Sequence, residues 1–91
     1  MISFTQNLIS IRKNHADICW IVENKSEHNI EDAIAYSNLF SHNFGQIGIG
    51  GIKSITFKVP LEKTFLLDGA FINYISDNET VMLKSNILRN F

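Results

Sequence analysis

Apolar residues recur at helical spacing between Asn29 and Phe44, and this periodicity limits the possible folds more than any other feature of the chain. The residues at positions i, i+3, i+4, i+7 and i+10 are Ile30, Ala33, Ile34, Ser37 and Phe40. This spacing places them on one face of a helix. Asn29 can cap the first free N–H groups, and Glu31 and Asp32 suit the positive end of the helix dipole. Gly45 follows where a left-handed residue commonly ends a helix. We therefore predict the main helix over residues 29–44.

Two other segments have the patterns of strands. Asp17–Glu23 is a short run of apolar, β-branched and aromatic residues, which predicts a buried strand with Trp20 as a core side chain. In the second segment, 52–59, apolar and polar residues alternate, as in a half-buried strand. Pro60 ends this second strand, because proline cannot donate to a central ladder.

The remaining segments give local turn signals and less certain elements. Asp68-Gly69 lies between apolar runs and predicts a hairpin. Residues 4–13 allow a helix or a strand, and we favour the helix. In the tail, Asp77-Asn78 either turns a hairpin into a strand over 80–84 or caps a helix that ends at Asn90. We favour the strand, followed by a short helical end.

Together these elements predict an α+β fold. Residues 1–91 form a single domain, because a chain of this length builds only one core. The domain would consist of a small, mostly antiparallel sheet of four to five strands. The main helix would pack on one face of the sheet, with a possible second helix at the N- or C-terminus.

Residues 45–54 contain four glycines and end in Lys-Ser, which superficially resembles a phosphate-binding loop. In such a loop the lysine directly follows the last glycine, but here two residues intervene. The loop must also follow a strand and open a helix, the reverse of the predicted order. We therefore interpret these glycines as residues that set the path of the backbone, and not as a phosphate-binding loop. Pairing Ile47 with Ile55 requires a bulge or a three-residue turn such as Gly50–Ile52, not a two-residue turn at Gly50-Gly51.

The charge of the chain favours a protein partner over a nucleic acid. The formal net charge is −1, without the basic excess of a nucleic-acid-binding domain. Between residues 14 and 52, five acids and one base give a net −4, and the rest of the chain carries +3. The charged residues of this segment are Asp17, Glu23, Lys25, Glu27, Glu31 and Asp32. Such a segment is a candidate docking surface for a basic protein.

Composition also predicts the compartment. Cys19 is the sole cysteine, so the chain cannot form an intramolecular disulfide. The first 17 residues lack the pattern of a signal peptide, and the longest apolar run, residues 18–22, is too short to span a membrane. We expect a cytoplasmic protein with no membrane partner. Abundant Asn, Ile, Lys and Phe indicate an AT-rich gene, typical of a bacterial or phage accessory protein.

Candidate catalytic residues are few. On one strand His15, Asp17 and Cys19 would share a face, but alternate residues lie about 7 Å apart, too far for a base to contact a nucleophile. We interpret Cys19 as a buried structural residue. The histidines lack the spacing of metal ligands, so we predict no metal and no cofactor. His15 and His28, with Lys25, form the one set suited to acid–base cleavage of RNA.

Three classes of function remain open. The first is a non-enzymatic protein-binding module, an inhibitor or immunity-type protein of the toxin–antitoxin kind. It would neutralise a basic partner, such as a nuclease toxin, through Glu23, Glu27, Glu31, Asp32 and Tyr36. The second is a nuclease or hydrolase that depends on His15 and His28. The third is a structural oligomeric subunit, with a homodimer formed through a sheet edge such as Ile52–Val59.

Overall fold

The computed structural model describes residues 1–88, in which the chain forms seven strands and one short 3-10 helix. The strands are β1 (Ile2–Arg12), β2 (His15–Asn24), β3 (Ile30–Tyr36), β4 (Ser41–Ile47), β5 (Ile52–Pro60), β6 (Phe71–Ser76) and β7 (Glu79–Lys84). Sheet A has the order β1-β2-β5, and sheet B has the order β4-β3-β6-β7. All strand pairs are antiparallel. The 3-10 helix, Leu61–Leu67, connects β5 to β6.

The two sheets share one hydrophobic core. Alternate residues of β2 are buried, and the middle one is Trp20, which is fully enclosed. Its ring meets the rings of Phe4, Phe40 and Phe57 edge-on, with centroids 4.9–5.5 Å apart. Sheet B contributes its inner face, including Ile30. The sequence predictions of a buried strand over Asp17–Glu23 and of Trp20 as a core residue are therefore confirmed.

The predicted main helix over residues 29–44 is wrong, and so is the α+β fold class. The segment forms β3, a turn and β4. The turn is held by Ser37, whose hydroxyl accepts from the backbone N–H groups of Leu39 and Phe40, each at 3.1 Å. The Ser37 N–H also donates to the carbonyl of Phe40 at 2.8 Å. This four-residue loop makes a hairpin where the sequence pattern indicated continuous helix.

Bulges explain the helical spacing. Strand β3 carries an extra residue around Asp32, which has a positive φ of 49°. The bulge lets Ile30 and Ala33, three positions apart, both face the core. Strand β4 has a second irregularity near Gly45, so Phe44 and Ile47 are also buried three positions apart. Each bulge replaces the two-residue period of a strand with a three-residue step, which resembles the period of a helix.

The N-terminal segment is also a strand, so the favoured helix over residues 4–13 is wrong. Phe4, Gln6 and Leu8 face the core alternately, but the glutamine conceals the apolar alternation. A register shift between Leu8 and Ser10 then breaks the period. The predicted strand over 52–59 is confirmed as β5, which lies at an edge of sheet A and ends at Pro60.

The two predicted turns near the C-terminus have different outcomes. Asp68-Gly69 ends the 3-10 helix and makes no hairpin, so that prediction is wrong. Asp77 and Asn78, with φ of 50° and 65°, form the two-residue turn between β6 and β7, as a type I′ turn requires. The predicted strand over 80–84 is confirmed as part of β7. Residues 85–88 are not helical, and the rest of the predicted helical end lies outside the described residues.

Candidate interaction surface

One end of the molecule is formed where β2 stops and β3 starts. Strand β2 has ten residues, so its ends, His15 and Asn24, lie about 30 Å apart at 3.3 Å per residue. This strand runs along a molecule that measures 43 × 20 × 19 Å. In sheet B, Ile30 pairs with Ile47 on one side and with Ser76 on the other. These residues belong to the same end as Asn24, because the Asn24 amide donates to the Ile47 carbonyl at 3.1 Å.

The buried side chain of Asn24 organises the connection between β2 and β3. Its Nδ2 also donates to the carbonyl of His28 at 2.9 Å. Its Oδ1 accepts from the backbone N–H and from the hydroxyl of Ser26, at 3.0 and 2.6 Å. A fully buried amide costs little when its hydrogen bonds are made. Asn24 therefore fixes residues 25–28 against the end of β4.

The glycine stretch crosses from sheet B to sheet A at the same end. The N–H of Gly51 donates to the carbonyl of Gly48 at 2.9 Å, and Gly50 has φ of +78°, as the third residue of a type II turn requires. Gly50 and Gly51 also exchange backbone hydrogen bonds with Asn24, at 2.8 and 2.9 Å. Strands β4 and β5 belong to different sheets, so the predicted pairing of Ile47 with Ile55 is wrong.

Six acidic residues surround this end, which we call the acidic end. They are Glu23, Glu27, Glu31, Asp32, Asp77 and Glu79. All are exposed except Glu23, which is half-buried and forms an ion pair of 3.6 Å with Lys25. Among residues 1–88, the other five acids have no basic group within 4 Å. The carboxylates at this end are therefore mainly in contact with solvent.

The fold adds two acids to this end that the sequence did not associate with it. Asp77 and Glu79 are about fifty residues away in the chain, within the part that carries a net positive charge. Antiparallel pairing brings Ser76 beside Ile30 and turns the chain back through Asp77 and Asn78 at the acidic end. The turn signal at Asp77-Asn78 was visible in the sequence, but its location depends on which strands pair.

The net charge therefore differs along the molecule, being negative at the acidic end and positive elsewhere. At the acidic end, six acids and the two lysines Lys25 and Lys53 give a net −4. The other charges within residues 1–88 are five bases and three acids, a net +2. They are Arg12, Lys13, Lys58, Lys63, Lys84, Asp17, Glu62 and Asp68. Because negative and positive charge are separated along the molecule, the protein creates an electric field that orients charged partners.

Two exposed isoleucines lie beside the acids. Ile49, in the glycine turn, is 62% exposed, and Ile52, at the start of β5, is 59% exposed. The N–H of Ile49 donates to the Oδ1 of Asn29 at 3.0 Å, which holds the turn against the β2–β3 connection. Ile52 is the register partner of Glu23 on the outer face of sheet A. Sequence reasoning named Ile52 only as the start of a possible dimer edge, Ile52–Val59, and did not identify Ile49 as a surface residue of this end.

The predicted partner-binding residues do not all lie together. Glu23, Glu27, Glu31 and Asp32 belong to the acidic end, but Tyr36 is at the opposite end of β3. The Tyr36 ring packs on Phe71 with centroids 4.1 Å apart, and its hydroxyl accepts a hydrogen bond from the amide of Asn73. Asp17, counted with the acidic segment in the sequence, lies near the far end of β2. It pairs there with Arg12 at 3.8 Å.

The candidate catalytic residues are also separated. His15 begins β2 and His28 lies beyond the end of the same strand, so the two rings cannot act on one phosphate. Cys19 is half-buried on the outer face of sheet A, between Asn7 and Thr56 in the register, not fully buried as expected. Within residues 1–88, no group of three or more His, Cys, Asp or Glu side chains is arranged to hold a metal ion.

Neither a protein-family model nor a curated protein sequence matches this chain. In the described part of the chain, no helix has the length and apolar character needed to cross a membrane.

Proposed function

We propose that this chain is a small cytosolic protein-binding module that docks a basic partner on its acidic end. The partner would be a protein with a positively charged functional surface, such as a nuclease toxin or another nucleic-acid-handling enzyme. Binding would cover that surface and inhibit the partner, as an immunity-type protein does. The proposal assigns the chain no catalytic step of its own.

The observation that carries the proposal is the presence at one end of the molecule of six acids, from residues 23–32 and 77–79, together with two exposed isoleucines, Ile49 and Ile52. Apolar side chains at the centre of an interface provide affinity when they are desolvated. Charges at the rim mainly increase the association rate and exclude wrong partners. Ile49 and Ile52 would supply the apolar centre, and the surrounding carboxylates the rim.

Charge reversal with a matched control tests the proposal. The test variant is Glu23→Lys with Glu27→Lys, on the sheet A side of the acidic end. The control is Glu62→Lys with Asp68→Lys, two exposed acids away from that end. Both variants change the net charge by the same amount. Each protein is used to capture partners from a lysate of its native host, and the affinity of each identified partner is then measured with the purified proteins.

We expect the control to retain the partner of the unsubstituted protein and the test variant to bind it at least about tenfold more weakly. Ile49→Ala should weaken binding through faster dissociation, because it truncates the apolar centre and leaves the charges unchanged. Equal partner affinities for the test variant and the control would contradict docking at the acidic end.

A further inference from the structure

The segment that follows β7, which we call the strap (residues 85–88), lies beside β1, an edge strand of sheet A. The strap begins in sheet B, where the Ser85 N–H donates to the carbonyl of Ala70 at 3.0 Å. It then reaches β1, where the Gln6 N–H donates to Oδ1 of Asn86 at 2.8 Å. Nδ2 of Asn86 donates to the Gln6 carbonyl at 2.9 Å. One side chain of the strap thus binds both backbone groups of Gln6.

The direction of these backbone groups shows that the strap takes the place of a strand. At the start of the β1–β2 pair, the carbonyl of Met1 accepts from the N–H of Lys25 at 2.8 Å. Along an antiparallel pair, such bonded residues alternate with residues whose backbone groups point away from the partner strand. The register is regular as far as Leu8, so the residues that point away from β2 are Ile2, Phe4, Gln6 and Leu8. A carboxamide has a donor and an acceptor, so Asn86 supplies the two hydrogen bonds that a neighbouring strand would give Gln6.

The strap has few buried contacts. Nε2 of Gln6 donates to the Asn86 carbonyl at 3.0 Å, and Leu88 is half-buried against the core. Asn86 itself is exposed, and Ile87 is 63% exposed. Segments with few buried apolar contacts open at a lower free energy than the core does. The strap can therefore leave β1 while the two sheets stay folded.

The neighbouring part of β1 has no other protection in its sequence. Edge strands are commonly kept from pairing by charged residues, lysine above all, and by proline. Strand β5, the other edge of sheet A, contains Lys53, Lys58 and Pro60, and β7 ends at Lys84. Residues 2–8 of β1 contain neither a charged residue nor a proline. This part of the edge therefore depends on the strap.

We infer that the strap is a removable cover for the edge of β1, which keeps this edge from pairing with a strand of another molecule. The inference does not depend on the partner proposed for the acidic end. When the strap opens, the N–H and C=O groups of Gln6 lose their partners. An open edge recruits further strands, and in a solution of the pure protein these belong to other copies of the chain.

Hydrogen exchange in the unsubstituted protein tests whether the strap opens by itself. The Gln6 N–H is bound by the strap, whereas the Asn7 N–H points toward Cys19 in β2. Relative to the rates in an unfolded chain, we expect the Gln6 amide to exchange at least about tenfold faster than the Asn7 amide. Its exchange should also depend little on urea, because opening the strap exposes little surface. Equal protection and equal urea dependence of the two amides would overturn the inference.

A substitution tests the role of the carboxamide. Asn86→Ala removes both of its hydrogen bonds to Gln6, and Asn7→Ala is the control, because it makes the same change at an exposed position of β1. We expect the Gln6 amide to exchange at least about tenfold faster in Asn86→Ala than in the control, with little change at Ile18 in the centre of β2. An equal loss of protection at Ile18 would show that Asn86 only stabilises the fold as a whole, against the inference.

Sedimentation velocity tests what the cover prevents. We expect Asn86→Ala to associate at protein concentrations at least about tenfold lower than Asn7→Ala does. Adding Asn7→Lys to Asn86→Ala should abolish this gain, because a lysine in an edge strand opposes pairing. If Asn86→Ala stays as monomeric as the control, the strap does not guard the edge. Association that persists after Asn7→Lys would place the contact on another edge and overturn the role of β1.

Discussion

The indole Nε1 of Trp20 donates a hydrogen bond of 3.0 Å to the side-chain oxygen of Gln6, in the centre of the apolar core. The amide nitrogen of Gln6 in turn donates to the carbonyls of Leu67 and Asn86, at 2.8 and 3.0 Å. The side chain of Asn86 pairs with both backbone groups of Gln6, at 2.8 and 2.9 Å. One buried glutamine thereby joins two strands of sheet A to the segment that follows β7.

Gln6→Leu should destabilise the protein, although leucine is apolar and similar in volume. The substitution leaves the indole N–H and the Leu67 carbonyl buried without their partner. A loss of about 2 to 4 kcal/mol is expected in the free energy of unfolding, measured with urea. Gln46→Leu is the control, because Gln46 is exposed. A loss equal to that of the control would show that the buried network contributes little.

Asn24→Leu should act more locally, on the β2–β3 connection. The Ser26 amide donates to the Asn24 carboxamide, so its protection from hydrogen exchange depends on that side chain. We expect this amide to exchange faster in the variant and the centre of β2, around Ile18, to change much less. Asn7→Leu is the control, since Asn7 is exposed on the outer face of sheet A. Unchanged exchange at Ser26 would contradict the organising role of Asn24.

Two glycine substitutions should have opposite effects. A Cβ atom at Gly51 would lie 3.0 Å from the Gly48 carbonyl oxygen and 3.1 Å from Cγ2 of Ile47. Gly51→Ala should therefore lower the free energy of unfolding by about 1 to 3 kcal/mol. At Gly69 a Cβ atom would meet nothing within 4 Å. Gly69→Ala should be neutral or stabilise the fold by up to about 1 kcal/mol, through the lower entropy of the unfolded chain.

Stability should fall at alkaline pH because of Tyr74. Burial raises the pKa of the Tyr74 phenol above its ordinary value. The unfolded chain loses this proton near pH 10, whereas the folded chain still holds it. The contribution of Tyr74 to the free energy of unfolding is therefore complete below pH 10 and is lost as the pH rises. Chemical unfolding between about pH 8 and pH 11 should show a decline that is shallower in Tyr74→Phe. Identical slopes for the two proteins would refute this role.

The elements that the sequence predicted correctly are specified by neighbouring residues. The apolar run around Trp20, the alternation that ends at Pro60 and the Asp77-Asn78 turn each need only local information. The two segments that were wrongly predicted as helices, residues 4–13 and 29–44, contain a bulge or a buried polar residue. Asp32 disturbs the period of β3, and Gln6 conceals the alternation of β1.

Four of the six acids at the acidic end were predicted from the sequence, and the other two were missed for a different reason. Glu27 and Glu31 are close in the chain, so the charge pattern alone brings them together. Asp77 and Glu79 join them only because β6 pairs with β3, and Ile49 is positioned by a turn that passes between the sheets. Which distant strands pair depends on the packing of the whole core, so a short stretch of sequence does not reveal it.

Sheet A is completed late in the chain. Strand β2 pairs with β1 through a two-residue connection, but its other neighbour, β5, consists of residues 52–60. During synthesis, the open side of β2 therefore stays unpaired until about thirty further residues have left the ribosome. Exposed strand edges next to apolar side chains promote aggregation, and closing such distant contacts slows folding. The yield of folded protein should accordingly depend on translation speed between β2 and β5, a segment in which the β3–β4 hairpin can already form.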